Sequence, residues 1–195
     1  LGEMDRLALV VNELLTFARP RPPARRPTDL NQTARDVLAL LERQFRHAGI
    51  AVDVAADPAL PDALPLDADK IRQLLVNLLL NALQAVVRDG RVTLTTRWDS
   101  AANTAVLEVA DDGPGIAPEI RGKLFEPFGG PKNEGGGLGL AVAKQIAEEH
   151  GGEIRFQTKT AGEAAPGEKT GAVFTVTLPA GECDHTLSGD NKQAT

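Results

Sequence analysis

Between a strand-like alternation ending at Ala110 and a helical periodicity starting at Leu138, the chain reads DDGPGIAPEIRGKLFEPFGGPKNEGGG over residues 111–137. Only a short helical piece near 118–124 interrupts it. A loop that long inside a compact domain is functional or disordered. Regular patterns flank it on both sides. Apolar periodicity predicts helices over 3–18, from Thr28 or Asp29 to about His47, from a cap at Asp67 to about Arg88, and over 138–149. Gly151 and Gly152 close the last of these. Alternation predicts strands over 50–55, 91–97, 104–110, 153–159 and 171–179. The prolines at 20, 22, 23 and 27 make 19–28 an extended linker, and DPALPDALP (57–65) reads as loop. The order β–α–β–β–α–β–β over 50–179, after the helix that starts near Thr28 or Asp29, predicts a two-layer α/β sandwich, with helices on one face of a mixed sheet. The final stretch, 180–195, reads as a disordered tail.

A chain of 195 residues holds one well-buried core, and 25% charged with 42% apolar residues is ordinary for a globular protein. A net charge of −6 argues against a nucleic-acid binder or an anionic-membrane binder. It also means that a polyanionic ligand needs local neutralisation, from a metal ion or from backbone dipoles. The lone Cys183 excludes an internal disulfide. No apolar run reaches the ~20 residues that span a bilayer, so no membrane contact and a cytoplasmic location are expected of this stretch, with anchoring of a longer parent left open.

Three motifs carry chemistry. The helix 67–88 contains NLLLNALQA, in which Asn77 and Asn81 lie one turn apart among leucines. Lys70, Gln73, Asn77, Asn81, Gln84 and Arg88 form one narrow polar stripe, which is either a solvated face or a pocket wall. Amide oxygens are neutral, hard donors that suit Mg²⁺ beside phosphate. VADDGPGIAP (109–118) directly follows a strand. A tight turn explains Gly113, Pro114 and Gly115. A carboxylate at Asp111 can accept a hydrogen bond from an exocyclic amine such as that of adenine, with the glycines letting backbone approach the ring. GGGLGL (135–140) lacks the preceding strand of a dinucleotide fold and the Lys-Ser/Thr of a Walker loop. It remains either a slack connector or a phosphate site at a helix N-terminus.

In this order the motifs resemble the ATP-binding domain of the sensor histidine kinases, within the superfamily that includes gyrase, the heat-shock chaperone ATPases and the mismatch-repair proteins. NLLLNA is similar to the family's N box, DDGPG to its G1 box, LFEPF to its F box, GGGLGLA to its G2 box and GAVFTVTLP to its last box. EMDRLALVVNELLTFARP resembles the second helix of the family's dimerisation and phosphotransfer hairpin, truncated at residue 1, and the style is closest to the nitrogen-regulation type. The resemblance implies ATP and Mg²⁺ as ligands, with Asn81 and Asn77 at the metal and phosphates. Asp111, Gly113, Gly115 and Ile116 would lie at the adenine. Lys132, Gly135, Gly137, Leu138, Gly139 and Leu140 would lie along the phosphates. Residues 117–136 would form a mobile lid with Phe125 and Phe128 as its aromatic positions. It further implies a receiver-bearing response regulator as partner and a homodimer in the full-length protein.

Two departures from the family pattern stand out. Gly129, Gly130 and Pro131 replace an aromatic and two threonines, which implies a looser lid. None of His47, His150 and His185 has the acceptor setting of the family, so no catalytic histidine is expected in this stretch. The alternatives are a hydrolytic ATPase or a serine kinase of the same superfamily. The hydrolytic branch carries a glutamate one turn before its metal-binding asparagine; here that position is Asn77, which cannot take a proton at neutral pH.

Overall fold

A computed structural model describes residues 21–129, 137–165 and 170–181. The helix expected over 3–18, the central lid residues, His185 and the tail beyond residue 181 lie outside the described residues.

Helix α1 (Leu30–Ala48) begins where Asp29 accepts a hydrogen bond from the Gln32 N–H at 2.8 Å and ends at Gly49, whose φ of 71° is left-handed. Its buried residues Leu30, Ala34, Val37, Leu41 and Phe45 recur every three or four positions and make one apolar stripe. Helix α2 (Ala68–Ala85) is capped by Asp67 and buries Ile71, Leu74, Leu75, Leu78, Leu79 and Ala82. It stops three residues before the expected Arg88. Val86 and Val87 are β-branched, and Asp89, at φ 67°, turns the chain, so Arg88 leaves the polar stripe. A short helix α3 (Pro118–Arg121) and helix α4 (Gly139–Glu149) complete the helical set.

Five strands form one mixed sheet. They are β2 (Ala51–Ala55), β4 (Arg91–Asp99), β5 (Thr104–Asp111), β6 (Glu153–Lys159) and β7 (Gly171–Pro179), in the order β2-β4-β5-β7-β6. Only β2 and β4 run parallel; the other pairs are antiparallel. Strand alternation sends Val92 and Leu94, then Ala105, Leu107 and Val109, then Phe174, Val176 and Leu178 into the core beneath the helices. Thr93, Thr95, Glu108, Thr175 and Thr177 occupy the opposite, partly exposed face. The expected two-layer sandwich is therefore present, with α2 packed between α1 and α4.

Two short strands fall in segments read as linker and loop. β1 (Arg26–Thr28) pairs antiparallel with β3 (Leu64–Leu66), with Pro27 opposite Pro65. Proline's fixed φ suits extended backbone at such an isolated edge pair, and three-residue strands are too short to display a period. This pair ties the end of the proline-rich segment to the chain just before α2.

Candidate functional site

The alternation that buries Leu107 and Val109 also turns Asp111, at the end of β5, toward the helical layer. Asp111 as a whole is 9% exposed, and its two carboxylate oxygens differ. Oδ1 accepts hydrogen bonds from the backbone N–H groups of Gly113 at 3.0 Å and Ala172 at 3.3 Å. Oδ2 is buried and has no partner. Burial pushes this carboxyl's pKa up, against the downward pull of the two N–H donors. An orphaned buried acceptor is costly, so this oxygen points to a ligand donor.

The loop that follows lies close against its neighbours. A Cβ at Gly113 would sit 2.9 Å from the Ala85 carbonyl oxygen, at the last turn of α2. Gly115 has φ 78°, and a Cβ there would lie 2.4 Å from the Lys159 carbonyl oxygen. Ile116 is buried, and its N–H and carbonyl are both engaged, by the Thr158 hydroxyl at 2.7 Å and the Arg121 Nε at 2.9 Å.

The second end of the site lies eight residues earlier on α2, roughly 12 Å along the helix axis. Asn77 is buried in spite of its polarity, and its Nδ2 has no partner. Gly139, the first residue of α4, stands beside it, so that a Cβ there would lie 3.6 Å from the Asn77 Cγ. The N-terminus of α4 has no side-chain cap, which leaves backbone N–H groups and the positive end of the helix dipole next to the amide. Asn81, half-buried, lies between the two ends on the same helix. Lys70, at the start of the stripe, is taken by Glu149 at 2.5 Å and does not join the site.

The aromatic and leucine positions have distinct roles. Phe125 packs edge-on against Phe156 and Phe174, with ring centroids 5.9 and 6.4 Å away, and thus anchors the loop after α3 in the core. Phe128 is 60% exposed, and its backbone N–H donates to the Gly137 carbonyl at 2.9 Å. Leu138, the N-cap residue of α4, is a core side chain, and Leu140 is half-buried. Lys132 and Gly135 lie outside the described residues. Four further residues hold the loop: Arg121, Thr158, Glu163 and Thr170. The ties of Thr158 to Ile116, of Arg121 to Glu163 and of Thr170 to Gly113 span 42 to 57 positions, so no local pattern marks them.

The two described histidines differ in their surroundings. His150 is buried, with Nδ1 donating to the Ile146 carbonyl at 2.8 Å and Nε2 accepting from the Asp67 N–H at 3.1 Å. Both nitrogens are thus in use, and burial pushes its pKa down. His47 is exposed in the last turn of α1. An apolar groove between α1 and β2, lined by Leu38, Phe45, Ile50 and Val52, has no buried unpaired polar group and lies apart from these motifs.

A sheet covered on one face by helices, a buried carboxylate at a strand end and a glycine-flanked helix N-terminus beside a buried asparagine define a nucleotide-binding class. The family model described as "Histidine kinase-, DNA gyrase B-, and HSP90-like ATPase" matches residues 66–182, and the chain belongs to that family. Within it the chain is similar to sensor histidine kinases. It is 38% identical to Sensor histidine kinase ZraS of Klebsiella oxytoca over 177 residues, which are 91% of this chain and 36% of that protein. It is 37% identical to the C4-dicarboxylate transport sensor protein DctB of Rhizobium meliloti (strain 1021), over 81% of this chain and 25% of that protein. The chain thus spans about a third of the relatives' length or less. Full-length ShkA in complex with AMPPNP superposes with a TM-score of 0.77 at 29% identity, covering 92% of this chain and 37% of that one. Histidine kinase ThkA in complex with response regulator protein TrrA gives 0.73 at 26%, covering 92% and 48%. Among the described residues no helix is long and apolar enough to cross a membrane.

Proposed function

We propose that this chain binds Mg–ATP and presents the γ-phosphate to a histidine on another helix, from which the phosphoryl group passes to the receiver domain of a response regulator. The observation that carries the reading is the asymmetric Asp111 carboxylate, one oxygen saturated by backbone and the other buried without a partner. That unpartnered buried oxygen is an acceptor, so it selects an amine such as that of adenine. The unpartnered Asn77 amide and the uncapped α4 N-terminus would hold the phosphates. AMPPNP is an ATP analogue, so the similarity to its complex with ShkA supports the same ligand class here.

The donor set fits magnesium. No group of three or more His, Cys, Asp or Glu that could hold a metal exists among the described residues. The amide oxygens of Asn77 and Asn81 would supply neutral ligands, with phosphate oxygens supplying the charge. The side chain of Asn77 can turn either end of its amide toward the site. When bound, the metal would neutralise charge that develops on the phosphates.

In the transfer, the bond from the γ-phosphorus to the bridging oxygen breaks, a nitrogen–phosphorus bond forms and ADP leaves. This chain contributes positioning and charge stabilisation. His150 has both ring nitrogens engaged and His47 lacks the family's acceptor setting, which supports an acceptor on a separate hairpin helix, in a homodimer to which the helix expected over 3–18 would contribute. Asn77 cannot activate water, which favours transfer over hydrolysis. The ThkA–TrrA complex supports a response regulator as the second acceptor. Calorimetry with ADP and Mg²⁺ tests the binding: saturable binding is expected, and its absence on folded protein overturns the reading. Incubation with γ-labelled ATP tests the chemistry. No stable label and slow turnover are expected from the chain alone; acid-labile label on His47, His150 or His185, or rapid hydrolysis, refutes the assignment.

A further inference from the structure

We propose that the β6–β7 hairpin sets the affinity of the base end of this site, with Thr158 as a positioning residue that acts through Ile116 and touches no ligand. The inference rests on the nucleotide-site reading above. Asp112 is still held by β4, its N–H donating to the Arg91 carbonyl at 3.2 Å and its Oδ1 accepting from the Arg91 N–H at 2.7 Å; beyond it the shape of the loop depends on bonds that are not part of the sheet ladder. Hydrogen bonds from the hairpin and within the loop supply them. The Thr158 Oγ1 accepts from the Ile116 N–H at 2.7 Å and donates to the Gly171 carbonyl at 2.9 Å. The second bond fixes the hydroxyl hydrogen, which leaves a lone pair aimed at Ile116. The Thr170 hydroxyl donates to the Gly113 carbonyl at 2.8 Å. Arg121 donates through Nε to the Ile116 carbonyl and through both terminal nitrogens to Glu163, at 2.8 and 2.6 Å. Glu163 is itself oriented by the N–H and hydroxyl of Thr160, at 3.0 and 2.8 Å.

Thr158 occupies a special place among these ties. Gly171, whose carbonyl it holds, precedes Ala172, whose N–H holds the Asp111 Oδ1. One hydroxyl therefore joins the loop on one side of the carboxylate to the strand on its other side. The direction of the free Oδ2 follows from both. With the N–H of Gly113 and both backbone groups of Ile116 committed to protein partners, the Asp111 Oδ2 is left as an unpartnered acceptor held in a fixed direction. Loss of the hydroxyl should let the loop shift relative to β7 and misalign it. The ionised Glu163, its pKa lowered to about 2 chiefly by the Arg121 hydrogen bonds, keeps the second brace charged at neutral pH.

The test is calorimetric titration with Mg–ADP of the wild-type chain and of Thr158→Val, Thr158→Ser and Glu163→Gln, each with a melting curve. Thr158→Val keeps the shape and removes the hydroxyl; ADP binding should weaken roughly 5- to 10-fold, the effect of one buried hydrogen bond. Thr158→Ser should restore wild-type affinity, whereas a purely structural role would lower the melting temperature and leave the affinity of the folded protein alone. Equal affinity in wild type and Thr158→Val, or a loss that serine does not rescue, overturns the inference. If Thr158→Val does not fold, Glu163→Gln decides: weakening of about two- to fivefold supports the brace, and unchanged affinity overturns it. Failure of the wild-type chain to bind ADP would instead remove the nucleotide-site reading itself.

Discussion

Replacing Asp111 with asparagine should move affinity and stability in opposite directions. The two side chains have the same shape, and the asparagine oxygen can keep the bonds from Gly113 and Ala172. At the position of Oδ2, however, an acceptor becomes a donor, which opposes the amine of an adenine. A hydrogen bond to a charged group contributes about 1.5–3 kcal/mol, so ADP should bind roughly 10- to 150-fold more weakly. The ligand-free protein responds the other way. Wild type keeps a buried charged oxygen without a partner, whereas the variant keeps a neutral orphan in its place. The difference should favour the variant by about 1 kcal/mol, or roughly 2–4 °C in Tm for a domain of this size. The pH dependence follows from the same cause. The folded Asp111 pKa lies above the unfolded value of 3.8, so protonation favours the folded state. The advantage of the variant should therefore shrink as pH falls through the raised value and vanish below 3.8. Calorimetry and melting curves at several pH values make the measurement. A variant that binds ADP as tightly as wild type, or that melts below it at neutral pH, would refute the reasoning.

Other perturbations have equally definite outcomes. Gly115→Ala forces a side chain onto φ 78° and within 2.4 Å of the Lys159 carbonyl oxygen; we expect a loss of about 2 kcal/mol in denaturant titration, together with loss of ADP binding. Lys70→Met removes the 2.5 Å partner of the largely buried Glu149, which should cost about 1–3 kcal/mol in the same titration and leave ADP affinity near wild type. His150 is held neutral by burial, below its ordinary pKa of 6.5; its contribution is complete above pH 6.5 and is lost as pH falls from there through the lowered value. Melting curves from pH 7.5 downward should show wild type losing stability relative to His150→Gln, and parallel curves would count against the buried neutral imidazole.

The sequence by itself determined the elements and much of the site. Helical and strand periodicities are local, so they located α1, α2, α4 and the five strands of the main sheet to within a few residues. The same alternation that buries Leu107 and Val109 fixes the face on which Asp111 lies. The spacing of four sets Asn77 and Asn81 on one side of α2, and glycine at 49, 115 and 137 marks backbone that turns left-handed. The tertiary structure alone decided which polar groups are used up and which are left over. Lys70 and Asn77 share one stripe, yet Lys70 is claimed by Glu149, 79 positions along the chain, while Asn77 keeps an unpaired amide beside Gly139. Asp111 has one oxygen saturated only because β7 returns alongside β5 and brings the Ala172 N–H to it. The Thr158 tie to Ile116 spans 42 positions, and the β1–β3 pair joins two proline-containing triplets too short to show a pattern. Local periodicity assigns a residue to a face; whether a polar atom on that face is satisfied depends on partners that only chain topology brings within 3 Å.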